Sequence, residues 1–524
     1  MKRSLGWDGE AVVAVDQVAL PAEHRILQLT TVDEVIDAIG SLAIRGAPAI
    51  GVAGGLAVAL SARQHGGDHD AVLADAERIR TVRPTAVNLA WAVRRVLGRL
   101  HEGATAVLDE ALALLLEDEQ INRTLAARAA DVVRGAVRRP VRVLTHCNTG
   151  RLATVAWGTA LGAIRDLAES GELESVLVTE TRPLLQGARL TAWELAEADI
   201  PHWLCVDSAG PAAIASGLVN CVVVGADRIT ANGDVANKIG TYALAVAAAR
   251  QAIPFVVVAP ESTLDESLTD GGAIVIEQRA GSEVTSFAGQ PMAPAGTKAY
   301  NPAFDVTPAA LITAIVTERR TLCPASGAEL ATTARALYNR GWMDGTAGNL
   351  SRRLPGTPGH ALITASGRSK GTLTAADLVT VAAETGEPLA PTDTRPSAEV
   401  SLHAALYRRY PDCGAVVHAH PPHATAVATL AGPGSVRFAD FEIIKGLGVP
   451  DPSAVEVLVL PNHTDVRLIA EEMFRQLRDD APPVVLIGHH GATAWGPDLQ
   501  TAHNRMECLE SLCQLHLLTG RKPR

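Results

Sequence analysis

Between Val141 and Pro260 the chain repeats one pattern five times. A short apolar, β-branched run stops abruptly in polar, Gly or Pro residues, in VRVLTHCNTG, SVLVTETRP, HWLCVDSAG, NCVVVGADR and PFVVVAP. Uninterrupted runs of this length suit strands buried on both faces. Helical segments are expected between them at 154–167, 186–198, 212–217 and 242–252, so the pattern predicts a doubly wound parallel sheet. Ligands bind such sheets outside the C-terminal strand ends. That edge collects Cys147, Glu180, Arg182, Gln186, Asp207 and Asp227. After Asp227, Asn232-Gly233-Asp234 makes a turn. Asn237 and Lys238 are then expected at the start of the next helix, where an anion is favoured.

The flanks extend this site. Residues 1–138 read as a small, mostly helical domain, with an amphipathic helix from 32. Its Ala43-Ile44-Arg45-Gly46-Ala47-Pro48 turn sets an Arg beside a Gly that lets backbone amides approach a ligand, a reasonable phosphate clamp. Arg83-Pro84-Thr85-Ala86-Val87-Asn88 is a second loop of that kind, opening a helix at 89–97. A surface Arg near a helix cap is the plain alternative for both. Cys147, at a strand end ahead of an expected helix, has the setting that lowers a thiol pKa; a buried structural Cys is the other reading, and the one that fits Cys205 and Cys221. A final helix is expected at 309–317. The parts are therefore 1–138, a Rossmann-like 139–320, a linker at 321–330 and a second unit at 331–524.

In that second unit two Gly-rich turns, GTAGNLS and TASG, suit either a phosphate or ordinary hairpins. His418-Ala419-His420 ends the run GAVVHAH, and alternation puts both imidazoles on one face. His490 follows another strand, PVVLIG. Three strand-end histidines with a position left open are the arrangement of a catalytic metal site, and Glu399 and Glu442 supply carboxylates nearby in sequence.

Composition narrows the class. A 524-residue chain predicts about three domains. A net charge of −11 argues against nucleic acid as partner. No apolar run reaches the ~18 residues of a membrane span, and MKRSLGWDGEAVV has no secretory apolar stretch. Seven scattered Cys without a CxxC pair predict reduced thiols and a cytoplasmic protein. Only six Lys stand against forty Arg; three of the six, Lys238, Lys370 and Lys445, fall inside the motifs.

Stretches 44–51, 83–91, 145–150, 180–195, 225–241 and 300–308 together resemble the methylthioribose-1-phosphate isomerase family, over essentially all of 1–320. The resemblance implies aldose–ketose isomerisation of 5-methylthioribose 1-phosphate. It puts the catalytic roles on Cys147 and Asp227 and phosphosugar contacts on Arg45, Gly46, Ala47, Arg83, Gln186, Asn237 and Lys238. GWMDGTAGNLSRR, ITASGRSKG, RPSAEVSLHAALY, AVVHAHPPHATAV, FEIIKGL and GHHGATAWG resemble the class II aldolase fold in its methylthioribulose-1-phosphate dehydratase branch. This implies an α/β/α domain holding one zinc ion on His418, His420 and His490. Glu442 would be the acid/base, and Gly348, Asn349, Ser366 and Gly367 the phosphate turns.

Two alternatives stay open. An aldolase of this fold, with Glu399 in its catalytic-glutamate position, would cleave C3–C4 to dihydroxyacetone phosphate and an aldehyde. The first fold is also similar to regulatory subunits of a translation-initiation exchange complex, which are binding proteins, and the second to adducin-like proteins, which lack the metal histidines. The expected partners are phosphosugars and further copies of the chain, with no nucleic acid and no membrane.

Overall fold

The computed structural model describes residues 3–83, 87–287, 289–354, 357–389, 394–449, 451 and 453–520. They form two compact units, Met1–Cys323 and Pro324–Arg524.

The first unit opens with three short antiparallel strands, Leu5–Trp7, Val12–Val15 and Ile26–Leu29. Helices follow at Val32–Gly40, Ala47–His65, His69–Thr81, Val87–Leu97 and Ala104–Ala136. Thr31 and Glu34 start the first helix with a reciprocal capping box. Ala47–His65 is apolar on every side and buried from Ala49 to Ala62, as a central helix must be. Its Gly54 lies so close to Leu89 that an added Cβ would come within 2.4 Å of Leu89 Cδ1. The expected boundary near 138 falls just past Ala104–Ala136. Residues 125–133 of that helix share a core with the sheet strands, so the helical part and the sheet make one body.

The parallel strands, numbered in chain order, are β1 (Val141–Thr145), β2 (Leu173–Thr179), β3 (His202–Cys205), β4 (Cys221–Val224), β5 (Phe255–Val258) and β6 (Ala314–Val316). Their spatial order is 6-5-4-1-2-3, with Thr321–Leu322 added antiparallel beside β6. This is the Rossmann order, whose switch point lies between β1 and β4. Side chains alternate between two cores: Val143 and Val223 face one, Leu144, Val222 and Val224 the other.

Three sequence expectations need correcting. The helix expected at 309–317 is a 3-10 turn, Ala309–Leu311, followed by β6; β-branched Ile315 and Val316 complete the parallel sheet beside Val257 and Val258. The helix expected from 154 begins only at Ala160. Asn237 and Lys238 lie on the strand Val235–Lys238, which pairs with Arg228–Thr230 and with Phe304–Thr307. The helix starts later, at Thr241, and Asp305 supplies its cap by accepting from Gly240 N (2.7 Å) and Tyr242 N (3.1 Å).

The second unit is an eight-stranded mixed sheet. Its central strands are Asn349–Leu354, Ala415–Ala419, Gly491–Gly496 and Val484–Ile487. Helices include Pro324–Asn339, Val400–Arg409, Pro422–Ala431, Val466–Gln476 and Leu499–Leu518. The first of these begins inside the stretch 321–330 expected as a linker.

Candidate functional site

In the first unit a cavity of about 610 Å³ opens at the switch point. Cys147 follows β1 and Asp227 follows β4, the two hydrogen-bonded strands that flank it, and both line the cavity. So do Arg45, Gly46, Ala47 and Arg83 from the helical part, and Gln186, Asn237 and Lys238 from the sheet part. Pro84–Ala86 of the expected second loop lie outside the described residues. Glu180, Arg182 and Asp207 are not among the lining residues. Asp207 instead braces the β2 loop, accepting from Thr181 N and Arg182 N, each at 2.7 Å.

The start of Ala47–His65 faces the cavity. Gly46 adopts φ +96, and a Cβ there would lie 2.3 Å from Ala153 O, so only glycine lets the helix end in this place. Arg45 is held by Gln17 Oε1 (3.1 Å) and by the carbonyl and side-chain oxygen of Asn148. Buried Glu194 fixes Asn148 in turn, accepting from its Nδ2 (2.8 Å) and from Arg151 N (2.8 Å). A guanidinium beside a helix N-terminus is a ready anion site. Lys238 Nζ sits 4.6 Å from the Phe304 ring centre. Gln186 Oε1 is buried without a partner among the described residues, an acceptor left for a ligand.

Burial pushes the Asp227 carboxyl above the usual carboxylate range, against the pull of Lys238, Arg45 and Arg83. The side chain is exposed at the cavity wall, so the burial that acts on it is enclosure by the walls around it and not loss of its own accessible surface. Burial likewise pushes the Cys147 thiol up, against Arg45 and Lys238. The expectation of a lowered thiol is corrected here. The chain directly after Cys147 forms only a 3-10 turn, Arg151–Ala153, and not the long helix expected there. Cys147 N donates to Thr181 Oγ1 (2.9 Å) and its carbonyl accepts from Thr191 Oγ1 (2.6 Å). His146, absent from the sequence reading, bridges Thr179 Oγ1 (2.6 Å) and the Ile239 carbonyl (2.8 Å), tying the Cys147 and Lys238 loops together.

In the second unit His418 is the next-to-last residue of the strand Ala415–Ala419, His420 follows the strand, and His490 lies in the turn before Gly491–Gly496. Ala419 pairs with Ala492, which sets the two strand ends side by side. The three rings pack with centroids 4.9–5.2 Å apart. One donor atom from each, with a Glu399 oxygen, all lie within 4.8 Å of one another. Glu399 Oε1 is 2.9 Å from His490 Nε2, and Oε2 is 3.3 Å from His418 Nε2.

The donor set fits a divalent cation. Burial drives His418 down to about 3, so its ring is neutral. Its Nδ1 is 2.9 Å from Thr493 Oγ1, and the tautomer that donates there turns the Nε2 lone pair toward the cluster. That Nε2 stands 3.2 Å from His420 Nε2. Converging lone pairs and a carboxylate suit a metal that takes nitrogen and oxygen ligands.

Behind the cluster runs a buried hydrogen-bonded chain. Asn349 Nδ2 donates to Glu399 Oε2 (2.5 Å), and Asn349 Oδ1 accepts from His403 Nε2 (2.6 Å). His403 Nδ1 is 2.6 Å from Ser351 Oγ, which is 2.7 Å from Tyr407 OH. Two residues expected at this site stand as follows. The Asn349 side chain donates to Glu399, and its backbone opens the strand Asn349–Leu354 directly after the first Gly-rich turn. Glu442 is 85% exposed, paired with Lys445 (2.7 Å), and stands outside the cluster. Gly348, at φ +70, packs against Met343, while Ser366 and Gly367 sit exposed in the second turn.

Residues 43–324 match the Initiation factor 2 subunit family, and residues 328–517 match the class II aldolase and adducin N-terminal domain. A probable bifunctional methylthioribose-1-phosphate isomerase/methylthioribulose-1-phosphate dehydratase of Nocardia farcinica is 58% identical over 99% of this chain and 96% of its own. The chain belongs to this bifunctional family.

The first unit is also similar to solved structures. For 5-methylthioribose 1-phosphate isomerase of Pyrococcus horikoshii the TM-score is 0.58 at 38% identity, covering 62% of this chain and 93% of that one. For translation initiation factor eIF-2B subunit delta of A. fulgidus it is 0.57 at 40%, covering 62% and 96%. Backbone likeness alone does not separate those two neighbours, so the family's activity is argued from the side chains of the cavity.

Proposed function

We propose that the first unit converts 5-methylthioribose 1-phosphate to 5-methylthioribulose 1-phosphate, and that the second dehydrates this to 2,3-diketo-5-methylthiopentyl 1-phosphate. The observation that carries the reading is the pairing of Cys147 and Asp227 across the switch point, in a cavity that also holds Arg45 and a helix start.

The phosphate at C1 sits against Arg45 and the amides at the start of Ala47–His65. It blocks the anomeric oxygen, so the ring opens only if its own oxygen is protonated. Cys147, kept as a thiol by burial, donates that proton. Asp227 takes the proton from C2 and returns it to C1, and the C2 hydroxyl proton passes to the Cys147 thiolate, which leaves the ketone at C2 and restores both groups. A carboxyl raised by burial is a base poised nearer neutrality.

In the second unit we assign the cation as zinc, held by His418, His420 and His490; when bound it supplies a Lewis-acid charge at the C2 ketone that acidifies C3–H. Glu399 takes the C3 proton, and the C4 hydroxyl leaves with that proton as water. The resulting enol relaxes to the diketone. Asn349 holds the Glu399 oxygen in place. Glu399 would serve a C3–C4 cleavage equally well, so the product decides: a diketone supports dehydration, and dihydroxyacetone phosphate identifies an aldolase.

Two further features support weaker parts of the reading. The edge strand β3 exposes Trp203 (71%) and Leu204 (51%), which supports a homo-oligomer. Among the described residues no helix is long and apolar enough to cross a membrane, and all seven Cys are free, which supports a cytoplasmic location.

A further inference from the structure

Lys370 is 1% exposed and has no part in the chemistry above. Its Nζ donates to Thr346 O (2.9 Å), in the first Gly-rich turn, and to Arg368 O (2.9 Å), in the second. It makes no ion pair among the described residues. Two carbonyl dipoles therefore hold a buried ammonium that has no carboxylate in contact among the described residues. Such a charge is costly unless an anion completes it. The nearest acid it feels is Glu399, already engaged by His418, His490 and Asn349. Lys370 is within electrostatic reach of His420. Both turns expose their tips, at Gly345 and Thr346 and at Ser366 and Gly367, while Lys370 lies within.

We propose that Lys370 is the cation that binds the substrate's phosphate in the second unit, joining the two turns around it. The side chain expected to help there, Asn349, is committed elsewhere. A phosphate against Lys370 would leave the sugar chain to run from the turns toward the imidazoles. This rests on the phosphosugar reading of the second unit.

The test uses the full-length, metal-loaded chain, with isomerisation by the first unit as internal control for folding. Lys370→Met is expected to raise KM for 5-methylthioribulose 1-phosphate, and the competitive Ki of inorganic phosphate against dehydration, each at least about tenfold. The kcat should stay within about threefold, since the contact is made equally in ground and transition states. Lys370→Arg should recover most of the loss, and it carries the test if the Met variant is unstable. Unchanged KM and Ki overturn the proposal, as does a fall in kcat at unchanged KM, which marks a purely structural staple. Calorimetry with inorganic phosphate separates the two readings: loss of one phosphate site per chain in Lys370→Met supports Lys370 even if wild type fails to dehydrate the ketose, and undiminished binding contradicts it.

Discussion

The two centres solve the same problem, moving a proton next to a carbonyl carbon of a phosphorylated sugar, by opposite means. In the first unit the groups are spread around a roomy cavity and burial does the tuning: Cys147 and Asp227 are both held toward their neutral forms. In the second the groups are crowded to within 4.8 Å, and convergence does the tuning. Burial again keeps His418 neutral, but here the neutral form is the one that offers a lone pair to a cation. The difference teaches that a burial-raised acid or base works alone, whereas neutral imidazoles need an ion to act on the substrate.

Breaking one centre should therefore leave the other intact. The largest effect is expected from His418→Ala, which should abolish bound metal and dehydration while isomerisation continues; metal analysis beside two product assays checks it. Asp227→Asn should lower isomerisation by about 10³–10⁴ at unchanged dehydration, the scale of general acid–base catalysis. Glu399→Gln should lower dehydration by about 10²–10⁴, whereas Glu442→Gln should stay within about threefold, as expected of an exposed side chain. The reverse ranking in kcat would move the base to Glu442.

Cys147→Ser should cost less, about 10² in isomerisation, and it sharpens the contrast through pH. Asp227 must be ionised to act, so activity falls as pH drops through its raised pKa, above the ordinary carboxylate range. Cys147 must be protonated, so activity falls as pH rises through its raised thiol pKa. The serine variant should lose the alkaline limb and keep the acid one in a kcat/KM profile.

Much of this was legible because chemistry-bearing residues stood at the ends of apolar runs. All five predicted strands appear, and Cys147, Asp227, Arg45, Arg83, Gln186, Asn237 and Lys238 line one cavity, while Glu180, Arg182 and Asp207 do not. What could not be read depended on pairing across long sequence distance. Residues 314–316 look helical until Val257 and Val258 are beside them. Lys238 looks like a helix start until Phe304 pairs with it. Glu194 resembles any helix glutamate, and nothing local shows that it fixes Asn148 for Arg45. Asn349 sits in a Gly-rich turn by sequence, yet strand pairing opposite His418 turns its side chain to Glu399. Glu442 was placed by motif alone, which carries no information about exposure.

Product analysis from 5-methylthioribose 1-phosphate, run in parallel on wild type, Asp227→Asn and His418→Ala, tests the two-centre account most directly. Wild type should yield the diketo phosphate, Asp227→Asn should return the starting sugar, and His418→Ala should stop at the ketose. A metal-free His418→Ala protein that still delivers the diketone would contradict it.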